Sequence, residues 1–454
     1  MSQLSWVGAF VLFQLASVPL CVSRWGTELY GDWLILFTVP VYVTLANLGI
    51  HVAVGNRVSA LVATDHVGRA VELYRSYTRL VVQLGALVGL ALVAGAYATD
   101  VRGLLGLEVV TGSQAHQIAA VFVCFAALGI VAGTFPVAFR LTNRFHLGVA
   151  ANAAFRVAEL VAIVVAVALD ATPLGVAVVL LVARTVTTVG LWRLAARELA
   201  AVRPSAGSAI RSVPTISDLR GLGTASLAAA VFPFGTVALC QGILLVISRS
   251  MPSIYVVAVN TLRTISNSIY QLSQAMSIGV LPELATSLAT GDRARATRMR
   301  SRYLAVIWIA GGAFSVVALI VLGPALRIWT RGEVSSDHLL MGLLLLAALL
   351  DATALALASG TVARNTHQRF ALKYVGIAAL SLVIVALTVR ADRLWVVGAA
   401  LALGGVLTVR AALVEAQEAF GDERRYGPLS AAATTTLDLV RHPRALAAIV
   451  LRIR

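Results

Sequence analysis

The chain has 454 residues, 59% of them hydrophobic and only 13% charged, with a mean hydropathy of +0.88. A soluble domain carries roughly a quarter charged residues, so disorder, a fibrous repeat and an ordinary soluble enzyme are excluded, and a polytopic membrane protein remains. The net charge of +15 comes from arginines, with Lys373 the single lysine. They lie between apolar runs rather than in one basic domain, which argues against nucleic-acid binding.

A spanning helix needs about 20 mostly apolar residues. In chain order the qualifying segments are 4–22, 32–54, 80–99, 116–138, 149–169, 174–192, 222–248, 254–280, 303–323, 338–361, 373–389 and 394–413. The first is not a signal peptide by pattern: Met1-Ser2-Gln3 carries no basic side chain and a second span follows at once. Cys21, Cys124 and Cys240 are widely separated within apolar runs and have no Cys/His spacing, so neither a disulfide framework nor a metal site is expected.

The connecting segments alternate in charge. Segments 55–79, 139–148, 193–221, 281–302 and 362–373 with the tail hold twenty-five basic residues, against seven on the other side. That bias places both termini in the cytoplasm. Residues 193–221, with Pro204, Gly207 and Pro214, divide six spans from six. The expected organisation is a six-helix half at 1–192, a linker at 193–221, a second half at 222–413 and a basic cytoplasmic tail at 414–454.

The halves repeat. At an offset of 226, Ala63-Thr64 falls on Ala289-Thr290, Arg69-Ala70 on Arg295-Ala296 and Tyr77 on Tyr303. At 225, Arg24 meets Arg249, Tyr30 meets Tyr255 and Arg144-Phe145 meets Arg369-Phe370. An even number of spans per half gives a parallel repeat, hence an all-α fold of about twelve helices as two six-helix bundles around a central cleft.

Polar groups inside the spans mark candidate sites. Segment 254–280 carries Asn260, Arg263, Asn267, Gln271 and Gln274 at steps of 3, 4, 4 and 3, so all five share one helical face. Lipid would penalise that face, which must look at water or protein. It reads as the wall of a substrate cavity, with interhelical hydrogen bonding as the alternative. Arg24 and Arg249 end the first span of each half and could receive an anionic head group at the outer mouth or simply anchor at the interface. Arg57 would open the positive path at the cytoplasmic end. Glu159 lies three residues from Arg156 and is expected to pair with it, with a role as a coupling carboxylate as the alternative. Asp351 is a lone carboxylate that could carry a coupling proton or pair with an arginine. Asn47 and His51, four apart, could face the cleft, and Arg184 could join it or bond a carbonyl. No Walker loop, GxSxG, HExxH or paired-Cys motif occurs, so enzymatic chemistry is not expected.

Arg24-Trp-Gly-Thr-Glu-Leu-Tyr-Gly-Asp-Trp33, followed by Tyr42-Val-Thr-Leu-Ala-Asn-Leu-Gly-Ile50, resembles the bacterial polysaccharide transporters, including O-antigen flippases, of the multidrug/oligosaccharidyl-lipid/polysaccharide (MOP) exporter superfamily. Trp25 replaces the usual Leu-like residue and Asn47 stands where an Asp is common. The basic segment 55–79 with its echo at 282–303, and Arg140 to Phe145 with its echo at 364–370, extend the resemblance. It implies flipping of an undecaprenyl-pyrophosphate-linked oligosaccharide to the outer leaflet of a bacterial inner membrane by alternating access. It also implies no cofactor beyond a coupling proton or sodium ion. Membrane lipids, and as candidate partners a polysaccharide polymerase and chain-length machinery, go with that role. Arginine suits a pyrophosphate because its planar fork binds two oxygens. The competing expectations are a cation-coupled multidrug exporter of the same superfamily, disfavoured by four intramembrane arginines and few carboxylates, and a membrane glycan polymerase or transferase, disfavoured by short outward loops.

Overall fold

The computed structural model describes residues 2–45, 50–202, 216–364, 366–420 and 427–441, and among them the chain is helix and turn without a strand. The helices are α1 (Ser2–Leu36), α2 (Thr38–Leu45), α3 (Ile50–Ala63), α4 (Val67–Ala98), α5 (Val101–Leu105), α6 (Gly112–Ala132), α7 (Phe135–Ala138), α8 (Phe145–Ala168), α9 (Pro173–Ala201), α10 (Ile216–Ser250), α11 (Ser253–Ala289), α12 (Arg293–Trp329), α13 (His338–Ala363), α14 (Gln368–Thr388), α15 (Trp395–Phe420) and α16 (Gly427–Arg441). Every apolar segment expected from the sequence falls on helix, the second of them around the undescribed residues 46–49. Eight helices among the described residues are long and apolar enough to cross a membrane.

Several expected loops are helix. The basic segment 55–79 is the end of α3 and the start of α4, joined by Thr64–His66 only, and 281–302 is likewise the end of α11 and the start of α12. Arginine is a good helix former, so a charged surface does not end a helix. Residues with left-handed backbone do: Asp65 (φ 59°) closes the first connection and Gly291 (φ 76°) the second. Asp292 then accepts from the Arg295 amide to start α12. Arg300, assigned by its sequence to a basic loop, is fully buried in α12. The expected break between the first two spans shrinks to one residue, Gly26, at φ 77° and ψ 170° inside α1. Only glycine adopts that backbone without strain. The tail contains a helix, α16, which packs on α12.

Two compact units emerge, Met1–Val256 and Val257–Arg454. In the first, α6 packs on α4 and α9, α8 on α1 and α9, and α10 on α2 and α3. Those α10 contacts put the division inside α11 rather than in the 193–221 linker, whose residues 203–215 lie outside the described set. The repeat concerns symmetry of sequence, whereas this division follows density of packing. In the second unit, α13 packs on α12 and α15, and α14 on α15.

Small residues let backbones approach, as membrane helices require. A Cβ on Gly405 would meet Leu350 Cβ at 2.8 Å, and one on Gly398 would meet Leu343 Cβ at 2.6 Å, so both glycines admit α13 against α15.

Candidate functional site

Glu159 sits on α8 with its side chain facing α9. Arg184 Nη2 donates to Glu159 Oε2 at 2.6 Å, and Thr187 Oγ1 lies 3.0 Å from Oε1 as donor. The ion pair expected with Arg156 is therefore made with Arg184. Arg156, one helical turn before Glu159, is exposed, whereas the carboxylate is buried against the neighbouring helix. The Arg184 guanidinium also lies over the Phe125 ring, 4.3 Å from its centroid, which ties α6 into the cluster. A Cβ on Gly129 would meet Arg184 Nη1 at 2.8 Å, so glycine gives the guanidinium its space. The cluster ties α6, α8 and α9 together through these contacts, although the buried Arg184 Nε makes no hydrogen bond among the described residues.

The two arginines expected at the outer mouth are engaged locally. Arg24 Nη1 donates to Asp170 Oδ1 at 2.6 Å, and the adjacent Trp25 Nε1 to the Ala171 carbonyl at 2.9 Å, tying α1 to the turn before α9. Arg249 Nη1 donates to the Gly103 carbonyl and, at 3.1 Å, to that of Leu104, two of the orphan carbonyls at the end of α5. Both are exposed.

Beside them is an anchor that sequence reading passed over. Asp32 is fully buried, and its carboxylate accepts from the amides of Glu108 at 3.1 Å, Val109 at 2.8 Å and Val110 at 2.8 Å. Ser253 Oγ lies 3.4 Å from Asp32 Oδ1 and donates to Glu108 Oε2 at 2.7 Å. A Cβ on Gly31 would meet Ser253 Cβ at 2.5 Å. The Gly-Asp step in Tyr30-Gly-Asp-Trp33 thus serves close packing and amide satisfaction, and a carboxylate at the edge of a span was the available signal.

At the basic end of this unit, Arg57 is exposed on α3. Nearby in sequence, Ser59 accepts from Arg140 Nη1 at 3.1 Å, and the Arg140 guanidinium stacks 4.1 Å from the Phe145 ring centroid. Burial lowers the Arg140 pKa below the usual guanidinium value. His51 shares a hydrogen bond with the Tyr77 hydroxyl. Asn47 lies outside the described residues.

In the second unit, α11 bears the polar face its spacing requires. Asn260, Arg263, Asn267, Gln271 and Gln274 are all half-buried. Leu262, Ser266, Ile269, Ser273 and Met276 are buried and, at 100° per residue, point roughly 140° away. Within the polar face, Gln274 Nε2 donates to the Tyr270 hydroxyl at 2.6 Å. The buried face holds the helix in place: Ser273 Oγ and Tyr303 Oη of α12 are 2.9 Å apart, and Ile269 lies against Gly311.

Asp351 is half-buried on α13. Two residues before and after it, Leu349 lies against Gly311 of α12, and Thr353 Oγ1 accepts from Trp308 Nε1 at 3.0 Å. Two residues along a helix is a rotation of about 200°, so Asp351 points away from α12. Among the described residues no hydrogen bond or ion pair reaches its carboxylate. The structure thus brings the five α11 residues onto one half-buried face, while Arg24, Arg249 and Glu159 each hold other structural partners. No group of three or more His, Cys, Asp or Glu side chains among the described residues could hold a metal ion.

No protein-family model matches the sequence, and no curated protein is similar to it in sequence. Solved structures do share its fold. The lipid II flippase MurJ in an inward closed conformation superposes with a TM-score of 0.68 at 11% identity, over 97% of this chain and 99% of that one. The MATE multidrug transporter DinF-BH gives 0.59 at 14% identity over 93% and 96%. The Vibrio cholerae MATE transporter VcmN in its bent form gives 0.53 at 16% identity over 92% and 98%. These are transporters of the MOP superfamily.

Proposed function

We propose, from a fold shared with the MOP exporters, that this chain is a flippase for a lipid-linked oligosaccharide. The cargo would be carried on undecaprenyl pyrophosphate and moved from the cytoplasmic to the outer leaflet of a bacterial inner membrane for surface polysaccharide synthesis. The observation that carries the reading is the half-buried α11 face, with Arg263 among four amide side chains. A guanidinium inside a span costs on the order of 2.5–3.5 kcal/mol on insertion scales, and a wet cavity receiving an anion offsets that cost. The amides suit sugar hydroxyls, and the guanidinium suits a phosphate through two parallel hydrogen bonds. Alternating access would come from rocking of the two halves of the sequence repeat. Arg24 and Arg249 would then serve the outer end of the path only by exchanging their present contacts, and Arg57 lies exposed at the basic end, so Arg263 is the residue on which the reading stands.

Depletion of the protein, followed by mass spectrometry of lipid-linked sugars, tests the substrate class: the cargo should accumulate with its glycan on the cytoplasmic side. Both termini would be cytoplasmic, so cysteines placed at the exposed Ser113 and Ser335 should react with an impermeant thiol reagent in intact cells. Protection of both positions would reverse the topology.

One observation favours a second reading. Asp351 is an intramembrane carboxylate without a partner among the described residues, a feature suited to coupling by a proton or sodium ion, and multidrug transporters share the fold. A cation-coupled multidrug exporter would raise drug resistance when overproduced, whereas the flippase would change surface glycan and leave resistance unaltered.

A further inference from the structure

Around the buried Asp32, the connection between α5 and α6 is held from two sides that differ in kind. On one side the Asp32 carboxylate of α1 accepts from the amides of Glu108, Val109 and Val110, at 3.1, 2.8 and 2.8 Å. Asp32 is fully buried, so these are charge-assisted bonds that water cannot replace. The other side faces the turn between α10 and α11, which belongs to the second half of the sequence repeat. Ser248 Oγ donates to the Leu105 carbonyl at 2.9 Å, Arg249 Nη1 to the carbonyls of Gly103 and Leu104, and Ser253 Oγ to Glu108 Oε2 at 2.7 Å. Arg249 and Glu108 are exposed, so water competes for their bonds. The Asp32 carboxylate also approaches Ser253 Oγ, at 3.4 Å, but that hydroxyl has one proton, so only one of the two carboxylates receives it.

Helix continuity decides what each side moves with. α11 runs unbroken from Ser253 to Ala289 and crosses from the first unit into the second. No Gly or Pro occurs from Ser253 to Ile278, so the causes of a sharp kink are absent there. The turn at Ser253 therefore travels with α11, whereas the α5–α6 connection travels with α1.

We propose that the α5–α6 connection is the latch of the outer gate. Asp32 keeps it on α1, and Ser248, Arg249 and Ser253 release it when the two repeat halves part, so the way out opens between Glu108 and Ser253. The motion rests on the alternating-access reading; the place of the break does not depend on the cargo.

The test follows the two sides separately, in the full chain with Cys21, Cys124 and Cys240 replaced by alanine. Spin labels on V109C/S250C span the latch, and labels on E28C/V109C span the fixed side; all three positions are exposed. Distances are read in nanodiscs by dipolar line broadening and double electron–electron resonance. Adding R249Q/S253A should raise the long-to-short ratio of the first pair about fivefold for each hydrogen bond lost and leave the second pair unmoved. Alanine at 253 keeps the Cβ that packs on Gly31. A first pair that stays short with R249Q/S253A, or a second pair that lengthens while the first does not, overturns the latch. If R249Q/S253A does not fold, R249Q alone, at its exposed position, decides by the same criterion with a smaller shift. In the same background, oxidised E108C/S253C should lose glycan export and regain it on reduction, and export through the oxidised form overturns the gate role. Distances that separate as expected in a chain that moves no lipid-linked glycan would end the flippase reading and leave the latch standing.

Discussion

In the first unit the intramembrane carboxylate Glu159 accepts from Arg184 and Thr187, and the guanidinium that neutralises it is itself stacked on Phe125. In the second unit Asp351 meets no such group among the described residues, and the half-buried polar face belongs to a different helix, α11. Elsewhere the units use matching devices. Tyr77 of α4 bonds His51 of α3, and Tyr303, its counterpart at an offset of 226, bonds Ser273 of α11. Glu198 of α9 is neutralised by Arg144 from the turn before α8, and Glu415 of α15 by Lys373 of α14. The shared devices hold helices together; the unshared ones show where polarity has been put to another use. Glu159 reads as structure and the α11 face as the place to look for function.

The largest effect should come from the closed cluster. Removing one partner of a buried pair leaves a charge stranded and costs about 3–5 kcal/mol, so Arg184→Ala should unfold the protein at markedly lower temperature in detergent. Replacing both residues by apolar ones of similar volume, as in E159L/R184M, should recover most of that loss. A single variant as stable as the original would mean that Glu159 is not held by this pair.

Next comes the α11 polar face. Arg263→Ala should leave the protein folded and inserted and reduce export of the proposed lipid-linked glycan by about 30-fold, the equivalent of roughly 2 kcal/mol for losing one side of a charge-assisted contact. Lysine should restore export in part, because a point charge lacks the bidentate geometry. Normal export by the alanine variant would remove Arg263 from the path and with it the phosphate-binding reading.

How far this contrast was legible in the sequence depends on range. The α11 face could be read because steps of 3 and 4 fix azimuth along one helix. The apolar segments could be read because lipid forces spans into helix. The Glu159–Arg184 pair could not, since it joins residues 25 apart on neighbouring helices and a nearer arginine, Arg156, competed for the assignment. Arg24 and Arg249 align in sequence at an offset of 225, yet their contacts differ: one meets a carboxylate, the other backbone carbonyls of α5. Repetition of a residue does not repeat its environment. Asp32 was missed because its partners are backbone amides, which any sequence supplies.

Asp351→Asn sharpens the comparison from the other side. Neutralising a carboxylate that has no partner among the described residues removes a desolvation cost and breaks no contact seen there, so stability should stay within about 1 kcal/mol of the original. Glu159→Gln, by contrast, should destabilise. If Asp351 carries a coupling proton, export by the asparagine variant should no longer respond to a collapsed proton gradient. A clear loss of stability on Asp351→Asn would show that the aspartate is paired after all.

The smallest effect tests the shared device. Lys373 Nζ lies 2.6 Å from Glu415 Oε1, and the Glu415 side chain is only 3% exposed. Arg144 Nη1 lies 3.3 Å from Glu198 Oε1, but Thr142 Oγ1 also donates to that carboxylate, at 2.5 Å. Removing the base in the first unit therefore leaves a hydrogen bond behind, whereas in the second no comparable hydroxyl donor to Glu415 is present among the described residues. Arg144→Met should cost no more than about 0.5 kcal/mol, as for other well-exposed bases. Lys373→Met should cost about 1–2 kcal/mol, as for a buried acceptor left unsatisfied. Thermal unfolding of the two variants side by side gives the difference directly. Equal losses would mean that Thr142 contributes nothing to holding Glu198, and that the two units resemble each other more closely here than their geometry implies.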